Sequence, residues 1–345
     1  MPLSDCDMNK ILVVNMNYLG DALMTTPALS ALRLAHPYAI IDAIAGSQPG
    51  YGAYDILSRN PDIDHLIPRV QGGFLKRFWQ VWSTLSRGRY DAVVILPPIR
   101  LYEFAAMLAM TPRRSLAKRV AADRHMSDAM LDAVRPYIDR PDEPHALVLA
   151  VSDQDRERAK GLLGPVRDRR PLIGFNLGAS RPQKRWPTES FIQVVRRELS
   201  SGRGVVLLGG GSAADRLAAS AIREGIQGDG LVDLTGKTSV RELSGVIEAC
   251  DVIVTVDTGA MHMAAAVGTP LVAIFGSTDP VVVGPYGPTP ARVLNKRLPC
   301  SPCNNHPTCG GRFMCMSDVT PAEVSQAVEE LLAAPNPVRA AKGAG

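Results

Sequence analysis

No apolar run in the sequence approaches the roughly eighteen residues that a membrane-spanning helix needs. The opening MPLSDCDMNK also lacks the basic-then-apolar pattern of a secretory signal. A cytosolic protein is expected. Charge of one sign is missing too. Lys and Arg number 38 against 34 Asp and Glu, a net +4 that divides into +3 up to residue 170 and +1 beyond it. Neither half has the basic field that nucleic acid demands, while an anionic substrate or a membrane surface stays compatible. Neither the P-loop nor the dinucleotide-binding fingerprint occurs at its required spacing. Cysteine is scarce outside one segment: Cys6 and Cys250 stand far apart, and the other four crowd into CSPCNNHPTCGGRFMC, which does not contradict a reducing compartment.

What the chain does contain is a rhythm. Its 345 residues are comfortable for two domains, each large enough to bury its own core. Short β-rich runs alternate with helical patterns: ILVV at 11, AIIDAIA at 39, DHLIPRV at 64, DAVVILP at 91 and ALVLAV at 146. A second set follows with PLIGFNLG at 171, GVVLLGG at 204, LVDL at 231, DVIVTVD at 251 and PLVAIFG at 270. Such alternation predicts parallel sheets with crossover helices, hence an α/β protein of two doubly wound domains. Gly, Pro and charge cluster in residues 158–171, so the boundary is expected there, with domains over 1–165 and 166–320. A last helix is expected over 321–333, opened by Thr320 as N-cap with Glu323 three residues on, and a disordered tail over 334–345. In GGFLKRFWQVWSTLSRGRY, Leu75, Phe78, Trp79, Trp82 and Leu85 recur at helical spacing beside Lys76, Arg77 and Arg87. Such a stripe is expected to pack on a sheet, although a basic, Trp-bearing helix can also lie on a membrane.

Chemistry-bearing residues gather where strands give way to helices, the place where ligands bind in open parallel sheets. Asp21, in NYLGDALMTTPALSALR, is read either as a helix cap behind a Gly20 turn or as a catalytic carboxylate. In NLGASRPQKRWP, Gly178 permits close backbone approach, Ser180 offers a hydroxyl and Lys184 offers a point charge suited to phosphate. The glycines of LLGGGSAAD, among them Gly209 and Gly210, permit phosphate to approach the helix start at Ser212, and they also simply make turns. The run VTVDTGAMHMAAAVGTPLVAIFGSTDP is the most informative. Asp257 ends a strand, Thr258 and Gly259 turn the chain, and a helix carrying His262 opens with free N–H groups, which suits an anion or a sugar phosphate.

Four motifs in this order, the LGD…TTPALSALR opening, KRWP, DTGAMHMAAAVGTPLVAIFG and the C-terminal cysteine segment, resemble glycosyltransferase family 9, the ADP-heptose heptosyltransferases, over residues 10 to about 332. The resemblance implies the GT-B fold, two Rossmann-like domains facing a cleft, the first for the acceptor and the second for the nucleotide sugar. It implies that Asp21 is the general base, that Lys184 and Ser180 contact the donor phosphates, and that Asp257 meets the transferred sugar. Thr258, Gly259 and His262 match the family's phosphate-binding turn. Many members carry Arg where this chain has Asn15 and His where it has Met24.

The implied reaction is inverting transfer of heptose from ADP-L-glycero-D-manno-heptose to an acceptor hydroxyl of a glycan, a glycolipid such as lipopolysaccharide core, or a small molecule. No DxD-like acidic pair stands beside these motifs, so no metal and no cofactor is expected. A glycolipid acceptor would bring the protein to the inner face of the cytoplasmic membrane. GT-B epimerases and hydrolases, or a non-catalytic homologue that keeps the donor site, are the competing readings. Cys300, Cys303, Cys309 and Cys315, with His306 as a spare ligand, suit a small zinc or iron–sulfur site, a labile disulfide or a loop of reduced thiols, and a loop stapler without metal is preferred.

Overall fold

The computed structural model describes residues 8–15, 18–46, 48, 52–140, 143, 145–224, 226, 228–304 and 306–338. The chain forms two compact units, Met1–Ala150 and Val151–Gly345. The first holds β1 (Lys10–Val14), α1 (Leu19–Met24), α2 (Thr26–Ala35), β2 (Ile40–Ile44), α3 (Gly52–Leu57), β3 (His65–Ile67), α4 (Phe74–Gly88), β4 (Ala92–Ile95), α5 (Arg100–Leu108), β5 (Arg113–Leu116) and α6 (Met126–Val134). Its five parallel strands run in the order β3-β2-β1-β4-β5. The strand order reverses between β1 and β4. Apart from Lys10 both are apolar and buried, because they are covered on two faces.

The second unit adds α7 (Asp153–Leu163), β6 (Leu172–Asn176), α8 (Thr188–Ser200), β7 (Gly204–Leu208), α9 (Ala213–Arg223), β8 (Leu231–Asp233), α10 (Val240–Ala249), β9 (Val252–Val256) and α11 (Gly259–Val267). It closes with β10 (Leu271–Phe275), α12 (Pro280–Val283), β11 (Ala291–Asn295), α13 (Met314–Ser317) and α14 (Pro321–Ala333). Its parallel sheet runs β11-β10-β9-β6-β7-β8, with the switch point between β6 and β9. Phe175 and Phe275, both fully buried, anchor the two central halves. Each large side chain so buried contributes about 1.5–3 kcal/mol relative to exposure.

Several expectations need correction. The boundary falls at residue 150, not near 165, because α7 packs against α10 of the second unit. ALVLAV at 146 is no strand: Val148 N–H donates to the Thr26 hydroxyl at 2.8 Å, outside any strand ladder. Two strands were not anticipated. β5 reads RRSL and β11 reads ARVLN, short edge strands whose polar side chains hide the apolar signal. The tail expected to be disordered is ordered over its first residues, where Asn336 donates to the Gly268 carbonyl at 2.9 Å; residues 339–345 lie outside the described residues.

The stripe on α4 is divided. Val81 and Leu85 are buried and Phe78 and Trp82 pack partly against the core, but Leu75 and Trp79 stay exposed. The Thr320–Glu323 capping box opens α14 as expected, each side chain bonding the other residue's backbone N–H.

Candidate functional site

In the second unit the ends of β6, β9 and β10 meet in one polar cluster. Asn176, the last residue of β6, is 4% exposed, and its amide Nδ2 faces the Thr255 hydroxyl at 3.2 Å, the Thr258 hydroxyl at 3.1 Å and the Gly178 carbonyl at 3.2 Å. One side chain thereby ties the loop after β6 to the loop after β9 across the switch point. From the first of these loops Lys184 reaches over to Asp257, Nζ to Oδ2 at 2.5 Å, and the Thr278 hydroxyl donates to the same oxygen at 2.6 Å. The two charged side chains are only 15% and 10% exposed, so their attraction is screened less than that of a surface pair.

The loop that carries Lys184 is fixed at both ends. Trp186 is buried, its indole N–H donates to the Val319 carbonyl at 2.9 Å, and its ring meets Phe191 edge-on at 4.8 Å. That pair spans the residue before the N-cap and the fourth helical position of α8, a hydrophobic staple. Arg185 donates to Asp215 at 2.8 Å and to the Ala179 carbonyl at 2.8 Å. Burial works to raise the Asp215 carboxyl, but hydrogen bonds from Ser212 and Arg185 outweigh it and hold the group below the usual carboxylate range. Lys184 is thus aimed by the two residues that follow it, Arg185 and Trp186.

Thr258 is the N-cap of α11, with Gly259 as the first residue of the helix, so Asp257 is not its cap. His262 stands at the fourth position of this nine-residue helix, 3% exposed among the core residues Met261 and Met263. Ser180 is exposed in the loop after β6, and among the described residues its hydroxyl makes no hydrogen bond to the cluster. Gly209 and Gly210 follow β7 and press against the neighbouring loops. A Cβ on Gly178 would come within 3.2 Å of the Gly210 nitrogen. Gly211 has φ +78°, and a Cβ there would meet the Gly236 Cα at 2.7 Å. Loop-to-loop packing therefore requires glycine at 211 and leaves little room for a side chain at 178 and 209, while 210 has space for one.

Cys300, Cys303, Cys309 and Cys315 are free thiols in a segment that packs on the end of β10. Asn304 N–H donates to the Ser277 carbonyl at 2.8 Å, the Ser301 hydroxyl donates to the Gly276 carbonyl, and a Cβ on Gly276 would meet Cys315 Sγ at 2.7 Å. The segment holds the loop that presents Thr278 to Asp257. Burial first, then the neighbouring thiols, push the Cys315 thiol up, while backbone N–H groups led by that of Phe313 lower Cys309. Among the described residues no group of three or more His, Cys, Asp or Glu is arranged to hold a metal ion.

In the first unit Asp21 lies in the first turn of α1, whose N-cap is Tyr18 without a side-chain cap. Gly20 is therefore helical and does not supply the turn. A carboxylate at this position still benefits from the positive end of the helix. Asn15 follows β1, fully buried, its N–H donating to the Ile44 carbonyl at 2.9 Å. Its own carbonyl accepts from the Arg69 guanidinium, which is 7% exposed and whose proton affinity is lowered chiefly by burial. Met24 is 2% exposed and belongs to the core.

Asn176, Thr278 and Arg185 escaped the sequence reading. Asn176 ends β6 and Thr278 lies three residues past β10, the one signal that marked Asp257 as well, whereas Arg185 stands well beyond β6 beside Lys184.

Two doubly wound parallel-sheet units, the second with a basic and hydroxyl-rich cluster at its switch point, make this a glycosyltransferase of the GT-B class. The family model of glycosyltransferase family 9 (heptosyltransferase) matches residues 79–311, and the chain belongs to that family. It is 29% identical to lipopolysaccharide heptosyltransferase 2 of Salmonella typhimurium over 350 residues, covering 94% of this chain and 98% of the relative. The solved structure of E. coli ADP-heptose lps heptosyltransferase II aligns with a TM-score of 0.74 at 28% identity, over 94% of this chain and 98% of that one. The glycosyltransferase family 9 structure from Veillonella parvula aligns with a TM-score of 0.78 at 24% identity, covering 96% and 98%, a likeness of fold.

Proposed function

We propose that the protein transfers heptose from ADP-L-glycero-D-manno-heptose to an acceptor hydroxyl of lipopolysaccharide core or a related glycoconjugate, with inversion and without a metal. The observation that carries this reading is the Lys184–Asp257–Thr278 cluster at the strand ends of the second unit. A diphosphate seated there exchanges the Lys184–Asp257 contact for a Lys184–phosphate contact, and the freed Asp257 carboxylate faces the sugar hydroxyls. The start of α11, which has no side-chain cap, completes the anion site beside Thr258 and Gly259, and the charge that develops on departing ADP is met by fixed donors. His262, buried at the fourth position of α11, and Ser180, Gly209 and Gly210, in loops after β6 and β7, are assigned to the same donor site.

Asp21 takes the proton of the acceptor hydroxyl as the oxygen attacks the anomeric carbon from the face opposite ADP. One base suffices, and no covalent intermediate forms. On the acceptor side Arg69 supplies a guanidinium against the backbone of Asn15, the position at which many family members carry Arg. A glycolipid acceptor puts the working protein at the inner face of the cytoplasmic membrane. Turnover of ADP-heptose against a panel of glycolipid, glycan and small-molecule acceptors tests the reading. Release of ADP with every acceptor left unmodified would reassign the protein to donor hydrolysis.

A further inference from the structure

We propose that the outward face of α4 and α5 is a docking surface for a lipid bilayer carrying anionic headgroups. Val81 and Leu85 of α4 and Tyr102, Ala105 and Ala106 of α5 are buried against the sheet. The opposite faces are apolar too. Phe74, Leu75 and Trp79 are 57–63% exposed, and Phe104, Met107 and Leu108 are 51–54% exposed. Phe78 stacks on Phe104 with centroids 6.2 Å apart and meets Trp79 edge-on at 5.8 Å, so the two helices present one continuous ridge. Among the described residues, nine of the seventeen exposed large hydrophobics fall within residues 70–110. Scattered exposed apolar side chains need no explanation, but a concentration of this kind marks a contact surface.

Charge decides which contact. Residues 69–119 hold ten Lys and Arg, one of them the buried Arg69, against only Asp91 and Glu103, a +8 over this stretch in a chain whose net charge is +4. Lys76 sits among the exposed aromatics of α4, and Arg100 lies one helical turn before Phe104 on α5, both exposed. A second copy would bring two such basic faces together and repel. Trp and Phe with a basic surround match the headgroup region of an anionic bilayer, where rings insert and cations meet phosphate. This deepens the glycolipid-acceptor reading on which its purpose rests: docking would hold the enzyme where such an acceptor lies.

The test is flotation of the full chain with vesicles of phosphatidylcholine alone or mixed with phosphatidylglycerol. Wild-type protein should float with the anionic vesicles and be released by salt. The double variant Trp79→Ser, Phe104→Ser should bind roughly tenfold or more weakly, and Lys76→Glu, Arg100→Glu should lose the preference for anionic lipid. Both should keep the wild-type ADP affinity, since none of the four side chains belongs to the donor cluster, and the Lys76, Arg100 variant should also keep the melting temperature, since both of those side chains are exposed. No vesicle binding, or equal binding by wild type and variants, overturns the proposal. So does a concentration-dependent dimer abolished by the Trp79 and Phe104 changes, which would assign the face to a second copy. Transfer to a soluble acceptor without vesicle binding would sink this inference alone, and vesicle binding without transfer to any acceptor would sink the proposed reaction alone.

Discussion

Replacing Lys184 with Ala separates two ways in which a lysine can favour a diphosphate. In the structure its ammonium stands 2.5 Å from Asp257, and both side chains are largely buried. If Lys184 bonds the phosphates directly, its loss removes a charged hydrogen bond worth about 1.5–3 kcal/mol. That corresponds to ADP affinity weaker by roughly 10- to 150-fold. If Lys184 merely neutralises Asp257, the variant would also bind ADP poorly, because a bare carboxylate would confront the diphosphate. The two cases diverge in an Asp257→Asn background. There the carboxylate is gone, so a neutralising role predicts no further effect of Lys184→Ala, whereas direct contact predicts that most of the loss persists.

Calorimetric titration of ADP into the four proteins of the cycle makes the measurement. Direct contact is the expected outcome. Equal ADP affinity for Asp257→Asn and the double variant would refute it. Thermal melts of the free proteins give an internal control: Lys184→Ala leaves the Asp257 carboxylate held by the Thr278 hydroxyl without its cation and should destabilise by about 1–3 kcal/mol. Removing both charges should restore part of that loss.

Asp21→Asn should lower the transfer rate by about 10²–10⁴-fold while ADP affinity stays near wild type, and a variant with near-normal turnover would end the assignment of Asp21 as base. Gly211→Ala should destabilise by about 1–3 kcal/mol, because its φ of +78° is strained for alanine and the new methyl would collide with the Gly236 backbone; an unchanged melting temperature would show that the loops can part. Lys296, then the Thr320 N–H, hold the Glu323 carboxyl down at about 2 from an ordinary 4.5. A carboxyl lowered by folding stabilises above its unfolded value, so this contribution should be full above pH 4.5 and fade as pH falls toward 2. Because Glu323 is substantially exposed the effect should stay under about 1 kcal/mol, and acid melts of Glu323→Gln that match wild type across that window would remove it. Protein purified without reductant or chelator should present Cys300, Cys303, Cys309 and Cys315 as titratable thiols in denaturant, and about one equivalent of zinc or iron in elemental analysis would instead establish a metal site.

The sequence by itself determined every central strand. Runs such as ILVV and DVIVTVD are apolar without alternation because both faces of a parallel sheet are covered, and that cause operates within a few residues. It also singled out Lys184 and Asp257, since loops that follow such runs lie at the carboxyl end of a parallel sheet. Tertiary structure alone decided that these two residues touch. They are 73 positions apart, and they meet because the strand order puts β6 beside β9. Asn176 shows the same dependence: in sequence it is one polar residue in an apolar stretch, and only pairing of β6 with β9 turns it into the tie between two loops.

The edge strands β5 and β11 were illegible for a related reason, because a strand with one neighbour and an exposed face carries little apolar signal. The ridge on α4 and α5 was half legible. Helical spacing identified a stripe, but the width of sheet available to cover it, which leaves Trp79 outside and Leu85 inside, is a property of the assembled domain and not of the helix.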